Sequence, residues 1–95
     1  MAARGGKSNG KVGSLDVVRR AAQQVGALTG RPVEGVLGLR RDDDGWEVTL
    51  EVLELRRVPE TTDVLASYAV MVDERGELRE YRRVRRYARG HLEEE

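Results

Sequence analysis

The residues in this sequence best suited to chemistry are the arginines and tyrosines of Leu78 to Arg89, LREYRRVRRYAR. Guanidinium groups bind phosphates and tyrosine rings stack on bases, so this segment could bind nucleic acid. The alternative interpretation is an exposed edge strand that its charges keep soluble. We favour the edge strand, because the formal net charge of the chain is zero and a dedicated nucleic-acid binder carries a basic surplus.

Two acidic patterns have the residue types of a metal or catalytic site. Residues 42–44 are three consecutive aspartates, but a calcium loop alternates its ligands over about twelve residues, so a solvated turn is favoured. Glu47 and Glu51 could mimic the carboxylate pair of a glycosidase. No pocket or raised-pKa environment is indicated around them, and pairing with Arg40 or Arg41 on a polar sheet face is the favoured interpretation.

The amino-acid composition excludes several classes of functional site. The chain has 95 residues, no cysteine and one histidine, His91, beside an acidic tail. Disulfides and thiolate metal sites are therefore excluded, and no Ser/His/Asp set or glycine-rich phosphate loop can be assembled. We expect no enzymatic activity and no cofactor. The lack of a long apolar run or a signal-like start predicts a cytoplasmic protein that does not cross a membrane.

The central element is predicted from Trp46 to Leu55, where apolar and polar residues alternate as in a strand with one buried face. Trp46 is predicted to be the largest buried side chain. Near the end the alternation slips at Leu53 and Leu55, which indicates either a bulge or burial on both faces, and we favour the bulge. The Asp-Gly pair before the strand tolerates positive φ angles and predicts a tight hairpin with Val36 to Arg41.

A helix is predicted from Ser14 to Thr29. Ser14 is a suitable N-cap, and Asp16 favours the positive end of the helix dipole. Gly30 fits the position after the last turn, and Pro32 prevents continuation. The expected apolar stripe consists of Leu15, Val18, Ala21, Ala22, Val25 and Leu28.

Two further strands are predicted from Val33 to Leu39, with glycines that permit a bulge, and from Val64 to Asp73. Residues 56–63 contain a proline and predict a connection, and residues 73–76 predict a hairpin turn that ends in glycine. Leu78 to Arg89 fits either a helix or a strand. The preceding turn and the two tyrosines favour a strand. In a regular strand one face would carry Tyr81, Arg83, Arg85 and Tyr87.

These elements predict an α+β fold in which one N-terminal helix packs on one face of an antiparallel sheet of three to four strands. The predicted organisation is a flexible arm over residues 1–13, one domain over residues 14–89 and a flexible acidic tail over residues 90–95. The helix is expected to pack against Trp46, Val48, Leu50, Tyr68 and Val70. Apolar residues on the uncovered face predict a partner or a second copy. They are Leu53, Leu55, Leu65 and Met71.

A series of short motifs runs through the second half of the chain. They are Gly45-Trp46, Glu51 with Glu54, Arg57-x-Pro59, Asp63-Val64-Leu65-Ala66-x-Tyr68, Asp73-x-x-Gly76 and Tyr81-Arg82-Arg83-x-x-Arg86-Tyr87-x-Arg89. Together they resemble the gas vesicle protein O (GvpO) family, whose layout matches Val12 to Arg89. The resemblance implies a non-enzymatic cytoplasmic protein needed to form gas vesicles, the gas-filled protein shells that give cells buoyancy. It also implies association with gas vesicles and with other gas vesicle proteins.

The residues expected to contact a protein partner lie in the 56–63 connection, on the uncovered sheet face and in the arginine segment. They are Arg57, Asp63, Leu65, Met71, Tyr81, Arg82, Arg83, Arg85, Arg86, Tyr87 and Arg89. The expected partners are other gas vesicle proteins and a second copy of the chain bound through the uncovered face. The alternative function is a small nucleic-acid-binding regulator that uses the same arginines. For the loop residues, a structural role and a partner-binding role are equally open.

Overall fold

The computed structural model describes residues 13–90, which form one helix and a four-stranded antiparallel sheet. The elements are α1 (Ser14–Thr29), β1 (Val33–Asp42), β2 (Gly45–Leu55), a short 3-10 helix (Glu60–Thr62), β3 (Val64–Asp73) and β4 (Leu78–Ala88). The strands lie in the order β1-β2-β3-β4, so each is joined to its neighbour in sequence. The predicted α+β fold is confirmed, with four strands. Apart from Gly13 and Gly90, the predicted arm and acidic tail lie outside the described residues.

The helix begins and ends close to the predicted residues, but its first cap differs. Gly13 is the N-cap and provides no side-chain hydrogen bond, so the prediction that Ser14 caps the helix is wrong. Ser14 is instead the first helical residue, and the carbonyl of Gly13 accepts the N–H of Val17 at 3.0 Å. Gly30 adopts a left-handed conformation with φ 70° and donates its N–H to Gly26, as predicted. No helix of the described chain is long and apolar enough to cross a membrane.

The buried stripe of α1 is narrower than predicted. Val17, Ala21 and Val25 are fully buried against the sheet, with Val18 and Ala22 partly buried beside them. Leu15 and Leu28 are 64% and 60% exposed, so their assignment to the stripe is wrong. Leu15 lies about 200° around the helix axis from Val17, and Leu28 lies in the last turn beyond the buried row.

The core lies between α1 and one face of β2 and β3. Leu50 is the largest fully buried side chain, so the prediction for Trp46 is wrong. Trp46 is half-buried because it lies beside the β1–β2 turn, where it packs at the edge of the core. The guanidinium of Arg41 lies over its ring, 4.8 Å from the centroid. The remaining buried members of the core come from α1, β2 and β3: Val17, Ala21, Val25, Val48, Val52, Ala66, Tyr68, Val70 and Val72.

The predicted β1–β2 hairpin is confirmed, but its glycine acts differently from the prediction. Asp42 pairs with Gly45 across the turn, and the described residues with positive φ are Gly30 and Gly76. Gly45 is needed because a Cβ there would collide with the carbonyl oxygen of Val72 and lie 2.8 Å from the Cα of Asp73. Close approach of two strands therefore explains this glycine.

Register shifts interrupt the ladders at several points. Between β2 and β3 the pairing shifts between Leu53 and Leu55, which confirms the predicted bulge. Two shifts in β1 fall at its glycines, next to Gly35 and Gly38. Residues 56–63 form the predicted connection, which contains a cis peptide bond before Pro59 and the 3-10 helix.

Candidate functional site

The arginine-rich segment is strand β4, which confirms the favoured interpretation and places it at an edge of the sheet. Its pairing with β3 shifts at two points, at Arg79 near the start of the strand and at Val84 in its middle. Tyr68 pairs with Arg83 and Ser67 with Arg85, so Val84 is an extra residue between two ladder positions.

The shift at Val84 changes which side chains share a face. The predicted face containing both tyrosines is wrong, because an extra residue reverses the alternation beyond it. The face that α1 packs on carries Tyr81, Arg83 and Arg86, opposite Val70, Tyr68 and Ala66 of β3. The other face, called the open face from here on, carries Arg82, Arg85 and Tyr87, opposite Ala69, Ser67 and Leu65.

The open face contains a groove of about 310 Å³ at the end of the sheet near the 56–63 loop. This open-face groove is lined by residues of β1, β2, β3 and β4, including Leu37, Glu51, Leu65, Ser67, Arg85 and Tyr87. The hydroxyl of Tyr87 donates to Glu51 Oε2 at 2.8 Å, and the Arg85 guanidinium lies 5.5 Å from the centre of the Tyr87 ring. Burial, followed by the hydrogen bond and the charge of Glu51, raises the pKa of Tyr87 to about 12.

The apolar residues expected on the open face are mostly covered. Leu53 and Leu65 are each 3% exposed, and Met71 is half-buried. Leu55 is 45% exposed, but the bulge pairs it with Val64 rather than continuing the row of Leu53. The open face therefore presents polar and charged side chains around a small apolar floor.

A second cluster lies on the opposite face, around the carboxylate of Glu54. The side chain of Glu54 is 3% exposed, and Tyr68 donates its hydroxyl to Oε2 at 2.8 Å. Arg83 Nη1 and Arg86 Nε lie 3.1 and 3.0 Å from Oε1, and Arg31 Nη1 lies 3.6 Å from Oε2. We call these four charged residues the Glu54 arginine cluster.

The electrostatics of Glu54 follow from these contacts. Burial by itself raises the pKa of a carboxyl group, because it disfavours the charged form. The Tyr68 hydrogen bond and the charges of Arg83, Arg31 and Arg86 outweigh burial, so the pKa of Glu54 is lowered from its ordinary value. Glu54 is therefore an ionised carboxylate at neutral pH.

Sequence reasoning missed Arg31 and Glu54 as members of a site. Arg31 follows the end of α1, whereas Glu54 sits in the bulge of β2 and the other two arginines come from β4. Such residues meet only when the sheet is assembled. The available signal was a lone acid between two leucines, Leu53 and Leu55, in a strand with a slipping pattern.

Asp63 organises a third group of residues at the 56–63 loop. It is 2% exposed, and its Oδ1 accepts the backbone N–H of Arg57 at 2.7 Å. Arg89 binds Oδ2 and also reaches Glu34 of β1, with Nη1 3.1 Å from Oε1. The Arg57 N–H, followed by Arg89, outweighs burial and lowers the pKa of Asp63. These contacts support the fold of the loop.

The predicted site residues are thus divided among three places. Arg82, Arg85 and Tyr87 belong to the open face. Tyr81, Arg83 and Arg86 lie on the sheet face that α1 packs against. The ring centres of Tyr81 and Tyr68 are 6.1 Å apart there. Arg57, Asp63 and Arg89 form the loop cluster, and the side chains of Asp63 and Leu65 are buried. Within residues 13–90, no group of three His, Cys, Asp or Glu side chains is placed to hold a metal ion.

The family model and the curated relatives that match this chain all belong to one protein family. The family described as gas vesicle synthesis protein GvpO matches residues 2–93. Gas vesicle protein O of a Streptomyces species is 54% identical over 76 residues, which are 80% of this chain and 59% of that protein. Gas vesicle protein O1 of Halobacterium salinarum is 35% identical over 77 residues, 81% of this chain and 62% of that protein.

A third relative, gas vesicle protein O of Haloferax mediterranei, is 31% identical over 85 residues, 88% of this chain and 61% of that protein. The chain spans about three fifths of the length of these curated relatives. No solved structure matches it.

Proposed function

The chain belongs to the gas vesicle synthesis protein GvpO family, and from this we propose that it is a non-enzymatic accessory protein that binds other gas vesicle proteins. Family membership supports a role in gas vesicle synthesis. The proposed place of action is the cytoplasm, in association with forming gas vesicles.

The observation that carries the binding proposal is the open face of the sheet. Within residues 13–90, α1 covers the other face and no helix or strand covers this one. Arg82 and Arg85 are exposed there, next to a groove whose floor includes Leu65. Charged rims around a small apolar centre are typical of protein interfaces. This arrangement supports a protein partner more than a small-molecule substrate.

The expected contact residues take different roles in this proposal. Arg82, Arg85, Tyr87 and Met71 provide the contact surface, whereas Asp63 and Arg89 hold the loop that borders it. A second copy of the chain is the other occupant to be considered for the open face. Its presence would be seen as a dimer in the purified protein.

The test uses a double variant, Arg82→Gln with Arg85→Gln, in the full-length protein. We expect it to lose binding to gas vesicle proteins encoded in the same gene cluster and to fail to support vesicle formation. Arg19→Gln with Arg20→Gln is the matched control, because it removes the same charge from the exposed side of α1. Binding is measured by co-purification, and vesicle formation by electron microscopy of complemented cells.

Two results would contradict the proposal. One is a double variant that binds gas vesicle proteins and restores vesicles as well as the control does. The other is tight nucleic-acid binding by the wild-type protein that falls steeply with salt and is lost in the same variant, since phosphate contacts release counterions.

A further inference from the structure

The Glu54 arginine cluster carries more positive charge than its own acid neutralises. Three guanidinium groups, those of Arg31, Arg83 and Arg86, surround one carboxylate. Three positive charges and one negative charge leave a surplus of two. In the part of the chain that the structure describes, the ion pairs of these arginines are made with Glu54 alone. The cluster is therefore a local cation on a chain whose formal net charge is zero.

The arginines also keep hydrogen-bond donors available to solvent. Their side chains are 46%, 49% and 52% exposed, whereas that of Glu54 is 3% exposed. The nearest nitrogen of each guanidinium lies 3.0 to 3.6 Å from a Glu54 oxygen, and a guanidinium has five N–H donors arranged in a fixed fork, more than one carboxylate can accept. Carboxylates match this fork geometry and accept two parallel hydrogen bonds from it. The outward N–H groups thus fit a second carboxylate.

Glu54 holds the guanidinium groups together before any ligand arrives. Its carboxylate is fixed by the Tyr68 hydroxyl, and Tyr68 is itself a core residue. Three arginine side chains that are already held together lose less conformational entropy on binding a ligand than three that move independently of one another. The buried acid therefore acts as the centre of a preorganised anion site.

We propose that the Glu54 arginine cluster is a docking site for an acidic peptide segment of a partner protein. The inference rests on the proposed function, binding to gas vesicle proteins, and adds a second contact on the face opposite the open-face groove. Side-chain carboxylates of the segment bind Arg31, Arg83 and Arg86 from the solvent side.

The geometry favours an acidic peptide over a nucleic acid. Single-stranded nucleic acid requires a continuous basic track with exposed aromatic rings for stacking. Here Tyr68 is 6% exposed, and Tyr81 and Tyr87 lie on opposite faces of the sheet. The cluster also has the carboxylate of Glu54 between its three arginines, so the arginines do not form a continuous row of positive charge. An isolated cationic patch of this size suits one or two carboxylates.

The test is titration of the full chain with a fluorescent hexaglutamate peptide at about 0.15 M salt, where long-range attraction is screened. Arg83→Gln with Arg86→Gln should weaken binding about tenfold, a magnitude expected for the loss of two partly exposed charge contacts. Arg19→Gln with Arg20→Gln is the matched control, because it also removes two exposed arginines, here from α1 and outside both proposed contact surfaces. This control should bind hexaglutamate like the wild-type protein.

Two single variants make the test independent of damage to β4. Arg31→Gln, outside the sheet, should weaken hexaglutamate binding about two- to fivefold. Glu54→Gln removes the charge that holds the three guanidinium groups together, so it should weaken hexaglutamate binding by about the same factor. Stronger binding by Glu54→Gln would overturn the role of Glu54 as the centre of a preorganised site. Circular dichroism and thermal unfolding establish that each variant is folded.

The inference is overturned if the wild-type chain does not bind hexaglutamate, or if the Arg83/Arg86 double variant and the Arg19/Arg20 control lose binding equally. It is also overturned if a thymidine oligonucleotide binds the cluster more tightly than hexaglutamate. Failure of the proposed function is distinguishable. In that case hexaglutamate binding still depends on Arg83 and Arg86, but no gas vesicle protein co-purifies. If gas vesicle proteins co-purify and hexaglutamate does not bind, only this inference fails.

Discussion

The carboxylate of Asp63 and the guanidinium of Arg89 join the loop before β3 to the end of β4. Asp63 Oδ2 lies 3.0 Å from Arg89 Nη2 and 3.1 Å from Arg89 Nε. The backbone takes part as well, since the N–H of Arg89 donates to the carbonyl of Asp63 at 2.8 Å. This pair links two segments of the chain by side-chain and main-chain bonds together.

Asp63→Ala should therefore lower the midpoint of thermal unfolding by several degrees. The substitution leaves the Arg57 N–H and the Arg89 guanidinium without their acceptor at a nearly buried position. Asp43→Ala, in the exposed β1–β2 turn, is the control and should leave the midpoint unchanged. A folded, equally stable Asp63→Ala protein that no longer binds gas vesicle proteins would favour the partner-binding role for this loop.

Acid should destabilise the protein through three carboxyl groups. Asp63, Asp73 and Glu54 all have lowered pKa values in the folded state; the backbone N–H of Glu77 is the main cause for Asp73. Their contribution is complete above the ordinary values of 3.8 and 4.5, and is lost as pH falls through the lower folded values. Urea midpoints should stay level from neutral pH to about 4.5 and should fall as the pH is lowered further. Asp73→Asn should make that fall shallower, and midpoints that rise in acid would contradict the assignment.

Tyr87 should ionise only in strong alkali. Its pKa is raised from 10.0 to about 12, so its stabilising hydrogen bond to Glu51 is complete below the ordinary value and is lost as pH rises through the folded one. Burial, followed by the hydrogen bond and charge of Glu54, also raises the pKa of Tyr68, so ultraviolet absorbance of tyrosinate should show late ionisation of two tyrosines. Tyr87→Phe should reduce the amplitude of this late component, and Glu51→Gln should move the Tyr87 part to lower pH because it removes the neighbouring negative charge. A late component of unchanged amplitude in Tyr87→Phe would reject the assignment.

Leu50 should contribute more to the free energy of unfolding than Trp46 does. Leu50→Ala should lower the free energy of unfolding by about 3 to 5 kcal/mol, because the residue is fully buried and the cavity cannot fill with solvent. Trp46→Ala should cost less, about 1 to 3 kcal/mol, since the ring is half-buried at the sheet end. Urea denaturation followed by circular dichroism compares the two. The reverse order of stability would place the centre of the core at Trp46.

Glycines in neighbouring strands should respond differently to alanine. Gly45→Ala should destabilise the protein by roughly 3 kcal/mol, because the new Cβ meets backbone atoms of β3 that cannot move aside. Gly35→Ala should change stability by less than about 1 kcal/mol, since a Cβ there meets nothing within 4 Å. Equal effects in thermal unfolding would show that β2 and β3 approach less closely than described.

The local elements could be predicted from sequence because each depends on neighbouring residues. The alternation of apolar and polar residues correctly predicted β2 and β3, and Gly30 correctly predicted where α1 ends. Both signals depend on residues only a few positions apart. Alternation assigns a residue to a face but does not say how far along the strand the helix extends. For this reason the predicted sheet face of Trp46 was correct, but its predicted degree of burial was too high.

The proposed contact surfaces were harder to predict because they depend on the register of strand pairing. A single extra residue in β4 separates Tyr81 from Tyr87, and no local pattern marks Val84 as that residue. Arg31 and Glu54 are joined only through tertiary packing, so their ion pair has no signal in sequence spacing. Arg57, Asp63 and Arg89 were predicted to contact a partner, which stays a prediction, and their contacts with one another became visible only in the folded chain.

The extra residue at Val84 lies between the arginines of β4, at a position where the strand can lose a residue without any change in which arginines share a face. Deleting Val84 would turn the bulge into a regular ladder and leave Arg82 and Arg85 on one face and Arg83 and Arg86 on the other. A deletion within the regular part of the strand would instead exchange the two sets. When relatives are aligned, a one-residue gap at Val84 is therefore neutral, whereas a gap in the regularly paired residues 80–83 signals that the two faces of β4 have exchanged arginines.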